Sequence, residues 1–283
     1  MKPEIPPTDD PPGPPVRHWL LDVEGTLVID KRYEPVAGAV AWVNRLKAEG
    51  HGVRILTNNT TLTILQVARG LRERGFNVAD DEVFSGQRRA AEILQEECLK
   101  ECWVLGSDAL LTTLAQAGVA VHDLRKEKPP AEAGRRGLVV GYLADVSASL
   151  LGRAIELLQQ PETSFITLHS TRLFKNQGRL EPGLGAWVAA LEYATGRIAQ
   201  VAGKPSPEVF LSAVRSLGIP PAKIAMVGDD PLGDIAPAMK LGMKGVMVLS
   251  GKYSDRNVLR RTFPDLRLDL VANSVADIPI APA

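Results

Sequence analysis

The chain has 283 residues, 45% hydrophobic and 5% aromatic, enough to bury a sizeable core in one large domain or two smaller ones. Lys plus Arg and Asp plus Glu each total 33, so the formal charge is zero and no basic stripe is present to hold nucleic acid or an anionic membrane. No apolar run approaches the roughly 18 residues of a membrane helix, and the N-terminus lacks the charged-then-apolar order of a signal peptide, so the expectation is a cytoplasmic protein.

In chain order, residues 1–15 are dominated by Pro with Asp9 and Asp10, a composition expected to stay extended as a disordered tail. His18-Trp19-Leu20-Leu21 reads as a buried strand running into Asp22-Val23-Glu24-Gly25-Thr26, which puts a carboxylate where a parallel strand meets a Gly-containing loop. Apolar residues at Val36, Val40, Val43 and Leu46 predict a helix over 34–46, with Pro35 in its first turn and Gly50 as its stop. A strand at 53–56 and a helix over 62–74 continue a β-α-β-α series, the start of a doubly wound parallel sheet. The segment from about 80 to 180 has its own strand-like runs at 102–105, 138–141 and 165–168, with helices over 108–117 and 147–158. This is enough for an inserted α/β domain, leaving 16–79 and 181–283 as the core. A charged loop over 125–136 reads as exposed, and Cys98 and Cys102 read as buried or spare thiols, since no His or second Cys pair completes a zinc site. Beyond 181 the core pattern resumes with helices over 184–195 and 207–217, a strand at 223–227, a helix over 235–240, and strands at 245–249 and 269–272.

Three further short motifs lie at strand ends or helix starts. They are Thr57-Asn58-Asn59, Gly203-Lys204-Pro205, and Gly228-Asp229-Asp230 with Asp234. Each alone is weak, because an Asp-rich loop is often a solvated turn and Gly-Lys-Pro a bend with an exposed lysine. All four in order resemble the motif set of the haloacid-dehalogenase-like (HAD) phosphatases. The likeness is greatest to the subfamily with a large α/β cap that includes ribonucleotide phosphatases, 4-nitrophenyl phosphatases and the phospholysine phosphohistidine inorganic pyrophosphate phosphatase. The resemblance implies a Rossmann-like HAD core with an inserted α/β cap domain, and a homodimer formed through that cap.

It also implies a chemistry. Asp22 is the candidate nucleophile, attacking phosphorus to form an aspartyl-phosphate that water later cleaves. Asp22, Asp229 and the backbone carbonyl of Glu24 are oxygen ligands suited to Mg2+, with Asp234 orienting a water or ligand from behind them. Thr57, Asn58 and Lys204 are candidates to bind the substrate phosphate, and Ser206 and Pro207 start a helix whose N-terminus adds partial positive charge beside an anion. Metal-free dehalogenation is disfavoured, because carboxylates at 229, 230 and 234 would raise the pKa of a nucleophilic carboxylate.

Glu24 departs from the family pattern, in which a second Asp is general acid and then base, work worth about 10²–10⁴ in rate. Its side chain reaches about 1.5 Å further. Two readings stay open: a phosphatase of a small phosphorylated metabolite, whether a phosphomonoester, pyrophosphate or a phosphoramidate, or a phosphate-binding or regulatory protein with little turnover. His169, Arg172 and Lys175, just after a strand of the inserted segment, are candidates to face a second phosphate or a carboxylate, or are residues of a solvated loop.

Overall fold

In the computed structural model of the chain, the described residues are 16–30, 32–132, 134–176 and 179–280, and the Pro-rich tail lies outside them. Strand β1 (His18–Leu21) is followed by helix α1 (Ala39–Ala48), β2 (Gly52–Thr57) and α2 (Ile64–Glu73). Then come β3 (Val83–Ser85), α3 (Gly86–Glu96), β4 (Glu101–Leu105), α4 (Asp108–Gln116), β5 (Ala120–Asp123) and β6 (Arg136–Val140). Helix α5 (Ala148–Leu158), β7 (Thr163–Thr167), β8 (Leu173–Asn176), β9 (Arg179–Pro182), α6 (Leu184–Thr195) and β10 (Gln200–Val201) follow. The chain ends with α7 (Pro207–Leu217), β11 (Ile224–Gly228), α8 (Ala236–Lys240), β12 (Lys244–Val248), α9 (Arg256–Thr262) and β13 (Leu270–Ala272).

The chain divides into two compact units. One comprises the chain up to Ile55, Arg74–Asn77 and Val214 onward; the other comprises Leu56–Glu73 and Val78–Ala213. Residues 56–73, 78–79 and 181–213 thus cluster with the middle of the chain, whereas the sequence reading placed them with the core.

In the first unit, parallel strands run in the order β13-β12-β11-β1-β2, the α/β doubly wound arrangement expected. Burial on both faces explains why β11, Ile224-Ala225-Met226-Val227-Gly228, is an unbroken buried run without polar alternation. Trp19 of β1 meets Trp42 of α1 edge to face at 5.3 Å, and Trp42 Nε1 donates to the Ile278 carbonyl at 2.9 Å. Those contacts tie the first helix to the end of the chain.

Helix α1 begins five residues later than the periodicity predicts. Residues 34–36 instead pair with 27–29, Ile29 N–H donating to the Glu34 carbonyl at 2.8 Å and Val36 N–H to that of Leu27 at 2.9 Å. Gly38, at φ +78, then turns the chain into the helix. Pro35 therefore sits in a β-bridge with Val28 and not in a helical first turn.

The second unit has its own parallel sheet, in the order β10-β7-β6-β4-β5, around a core that includes Trp103, Leu138, Val139, Phe165 and Ile166. Ser85, Ser107 and Ser147 cap α3, α4 and α5, each hydroxyl accepting from the N–H three residues on, at 3.3, 3.4 and 3.2 Å. Of the two cysteines, both unbridged, Cys98 is exposed and Cys102 is buried, its thiol pushed up to about 12 by that burial. No helix among the described residues is long and apolar enough to cross a membrane.

Candidate active site

Register brings the first and last acidic motifs together in the first unit. Leu21 of β1 pairs with Val227 of β11, and Asp22 N–H donates to the Val227 carbonyl at 3.0 Å, so Asp22 and Asp229 leave neighbouring parallel strands at the same end. Asp234 joins them from a π-helical turn, Pro231–Ile235, which Asp230 caps by accepting from Leu232 N–H at 3.0 Å. The three carboxylates are 5%, 5% and 2% exposed, and one oxygen of each lies within 4.8 Å of the others. Such a group can hold a metal ion.

The surrounding backbone is cut to fit these carboxylates. Any side chain at Gly25 or Gly251 would run into Asp229, and any at Gly228 into Asp234. Gly25 also has φ +85, a conformation that L residues adopt at a cost of about 1–2 kcal/mol. Thr26 Oγ1 donates to Asp22 Oδ2 at 3.2 Å, Lys252 N–H to Asp229 Oδ2 at 2.8 Å, and Asp230 N–H to Asp234 Oδ2 at 3.2 Å. Three buried anions this close repel, and a hard divalent cation is the natural counterion for an all-oxygen donor set.

Two residues that the motifs did not include belong to this neighbourhood. Lys252, from the loop after β12, forms an ion pair with Asp230. Burial acts to raise the Asp230 carboxyl, but Lys252 and the N–H groups of Gly233 and Leu232 outweigh it and hold the group below its ordinary value. Tyr33 is buried at φ +61, and burial first, then the Glu24 carboxylate, push its phenol up. Glu24 itself is half-buried, at a β-bridge with Val28 inside the tight loop in which Leu27 and Val28 N–H both donate to the Val23 carbonyl. Nothing in the local sequence marks either residue: Lys252 is 22 positions from Asp230 and reaches it only through the sheet.

Thr57, Asn58 and Lys204 lie in the second unit. Asn58 clamps the backbone of Lys204 twice: its Nδ2 donates to the Lys204 carbonyl at 2.9 Å, and its Oδ1 accepts from Lys204 N–H at 2.9 Å. Lys204 is 4% exposed, so it is no loose surface lysine. Thr57 Oγ1 accepts from Asn59 N–H at 3.0 Å, and Asn59 Oδ1 accepts from Thr61 and Leu62 N–H, which ties the Thr57-Asn58-Asn59 loop to its own backbone. Gly203 is required there, since a Cβ would strike the Leu168 carbonyl and come within 2.8 Å of Asn58 Oδ1.

Of the three candidates after β7, His169 is buried and Arg172 is exposed, while Lys175 lies on β8. Burial lowers the His169 pKa to about 4, so the ring is neutral at pH 7 and is not a cation for a second phosphate.

Residues 19–120 match a family model described as haloacid dehalogenase-like hydrolase, and 201–278 match one described as HAD-hydrolase-like. Haloacid dehalogenase-like hydrolase domain-containing protein 2 of Bos taurus is 31% identical over 235 residues, covering 83% of this chain and 84% of the relative. Phospholysine phosphohistidine inorganic pyrophosphate phosphatase of Homo sapiens is 30% identical over 272 residues, covering 93% and 92%. Among solved structures, a p-nitrophenyl phosphatase from Archaeoglobus fulgidus, 27% identical, matches with a TM-score of 0.82 over 93% of this chain and 98% of its own.

Proposed function

Since the chain belongs to the haloacid dehalogenase-like hydrolases, we propose that it is a magnesium-dependent phosphatase that hydrolyses a small phosphorylated metabolite through an aspartyl-phosphate on Asp22. The observation that carries this reading is the cluster of Asp22, Asp229 and Asp234 at the end of two adjacent parallel strands, with Gly25, Gly228 and Gly251 at positions where a side chain would collide with Asp229 or Asp234. Two of the relatives above are phosphatases by name.

In the proposed reaction an Asp22 oxygen attacks phosphorus as the bond to the leaving oxygen breaks. Water then attacks the aspartyl-phosphate, which releases inorganic phosphate and restores the carboxylate. Asp22, Asp229 and the Glu24 carbonyl would hold Mg2+, with Asp234 orienting them; the ion supplies positive charge that offsets repulsion between carboxylate and phosphoryl group. Thr57, Asn58 and Lys204 are assigned to the phosphoryl oxygens, as the motif order supports. Proton delivery to the leaving oxygen falls to Glu24, whose extra methylene favours leaving groups that depart with little proton help, such as aryl phosphates, pyrophosphate or phosphoramidates.

Release of nitrophenolate from 4-nitrophenyl phosphate, with and without magnesium, tests the reading. Turnover that requires the metal and is lost in Asp22→Asn supports it. No magnesium-dependent turnover there, or on pyrophosphate and nucleotides, would favour the phosphate-binding alternative. Glu24→Asp isolates the proton-transfer step: a higher steady rate with an unchanged burst places the limitation in hydrolysis of the intermediate.

The reading includes a homodimer formed through the second unit. Exposed apolar side chains at Tyr193 and Ile198, 95% and 80% accessible, support it. Nucleic acid and membranes are not among the proposed partners, in keeping with the charge balance of the chain.

A further inference from the structure

The strand ends β7 and β10 lie side by side, both parallel, with Thr167 paired to Val201. Ala202 N–H donates to the Thr167 carbonyl and Gly203 N–H to the Leu168 carbonyl, each at 2.8 Å, so the next residue on one strand is His169 and on the other Lys204. In parallel sheets this carboxyl edge is where ligands collect.

His169 is held there with one ring nitrogen committed. Thr171 N–H donates to His169 Nδ1 at 3.3 Å, which leaves the ring proton on Nε2. The residue is 9% exposed, and among the described residues its ring makes a hydrogen bond through Nδ1 and none through Nε2. The loop that carries it is fixed from both sides. Thr167 Oγ1 donates to the His169 carbonyl at 3.1 Å, Gly185 N–H to the Thr171 carbonyl at 2.9 Å, and Gly183 N–H to that of Arg172 at 2.8 Å. A Cβ at Gly183 or Gly185 would collide with the Thr171 or Ser170 carbonyl, so the close approach of that segment is built in. An immobilised N–H donor on a largely buried ring, with no acceptor among the described residues, is an arrangement suited to a ligand oxygen.

We infer that His169 is a specificity-determining residue, its Nε2–H donating to an acceptor oxygen on the leaving group of a substrate whose phosphoryl group is bound at Lys204. This rests on the proposed phosphatase reading in so far as Lys204 binds the phosphoryl group. The substrate class is then a phosphate ester or anhydride with a carboxylate, carbonyl or second phosphoryl oxygen near the scissile bond. Because the ring is neutral, it contributes direction and a hydrogen bond in place of net charge, and it discriminates against analogues that lack the acceptor.

The full-length Asp22→Asn protein, which cannot form the intermediate, is titrated with magnesium and either phosphoglycolate or ethyl phosphate, two small esters that differ in the carboxylate. Tighter binding of phosphoglycolate is expected, with the preference reduced about tenfold by adding His169→Ala and largely kept by His169→Gln, whose amide restores a donor. In the protein with His169 intact, the ¹⁵N-edited ring signal of Nε2 should move with phosphoglycolate and stay with ethyl phosphate, a readout independent of how the variants fold. An unmoved Nε2 signal with phosphoglycolate bound, or an unchanged preference in His169→Ala, overturns the inference. If neither ester binds, or if Lys204→Ala binds both as well as its parent, the phosphate-site reading has failed instead.

Discussion

Asn58 is the sharpest place to test the second unit, because the structure gives its side chain a task in addition to the phosphate binding its motif suggests. The motif makes Asn58 a candidate to bind the substrate phosphate. The structure shows its side chain joined to both polar groups of the Lys204 peptide, each at 2.9 Å. Asn58→Ala deletes both bonds and leaves the Lys204 N–H and carbonyl to find other partners at a residue that is 4% exposed. Each bond is worth about 1 kcal/mol net, and an unsatisfied buried group costs about 1–3, so a loss of about 2 kcal/mol in stability is expected. That corresponds to a drop of about 4–8 °C in the melting temperature of a unit this size. Freeing the lysine backbone should also raise KM for 4-nitrophenyl phosphate more than it lowers kcat. Asn58→Asp is the informative companion: it keeps the acceptor for Lys204 N–H but turns an oxygen toward the Lys204 carbonyl, so it should be no more stable than the alanine variant at pH 7. Differential scanning calorimetry and steady-state kinetics read these effects. A melting temperature within 1 °C of the parent together with an unchanged KM would refute the clamp.

Gly25→Ala should lose about 2 kcal/mol or more from positive-φ strain and from collision with Asp229, and should weaken the magnesium dependence of activity, as read by urea denaturation and metal titration. Asp123, buried in the second unit, binds Arg125 through its guanidinium at 2.8 Å and its N–H at 3.0 Å. Burial acts to raise this carboxyl, but the arginine prevails and its folded pKa lies below the ordinary value. A lowered folded pKa contributes stability above the unfolded value of about 3.9, which is lost as pH falls through the folded pKa. Asp123→Asn should therefore be destabilised by about 1–3 kcal/mol at pH 7 and approach the parent below pH 3.9, as checked by denaturation across pH. Tyr193→Asp with Ile198→Asp should shift the proposed dimer to monomer in light scattering behind size exclusion, without lowering the melting temperature of a dilute sample.

Local physics explains much of what the sequence made legible. Buried parallel strands are continuous apolar runs, so β1, β2, β4, β6, β7, β11 and β12 stand out within one or two residues. Helix α6 matches its expected span because its periodicity is uninterrupted and Gly196 ends it at φ +69. Elements without such a signature escaped notice. Strand β10 has two residues and β5 four, and β8 with β9 forms an antiparallel pair of mixed polarity, Leu173-Phe174-Lys175-Asn176 against Arg179-Leu180-Glu181-Pro182. Helix α9, only seven residues, is announced by little more than Asp255 as its cap.

By itself the sequence determined the chemical inventory and its placement at strand ends, because carboxylates, glycines and a Lys-Pro step are local facts and strand periodicity is short-range. Tertiary structure decided which of those groups meet. The register of β1 against β11 sets Asp22 beside Asp229, although 207 positions of chain separate them by their numbering. Asn58 reaches Lys204 across 146 positions, and Lys252 reaches Asp230 across 22, through pairings that no period reports. Burial decided the rest: it turned His169 from a candidate cation into a neutral donor, and it put Lys204 inside the fold, since the cost of desolvating a group is set by everything packed around it and not by its neighbours in the chain.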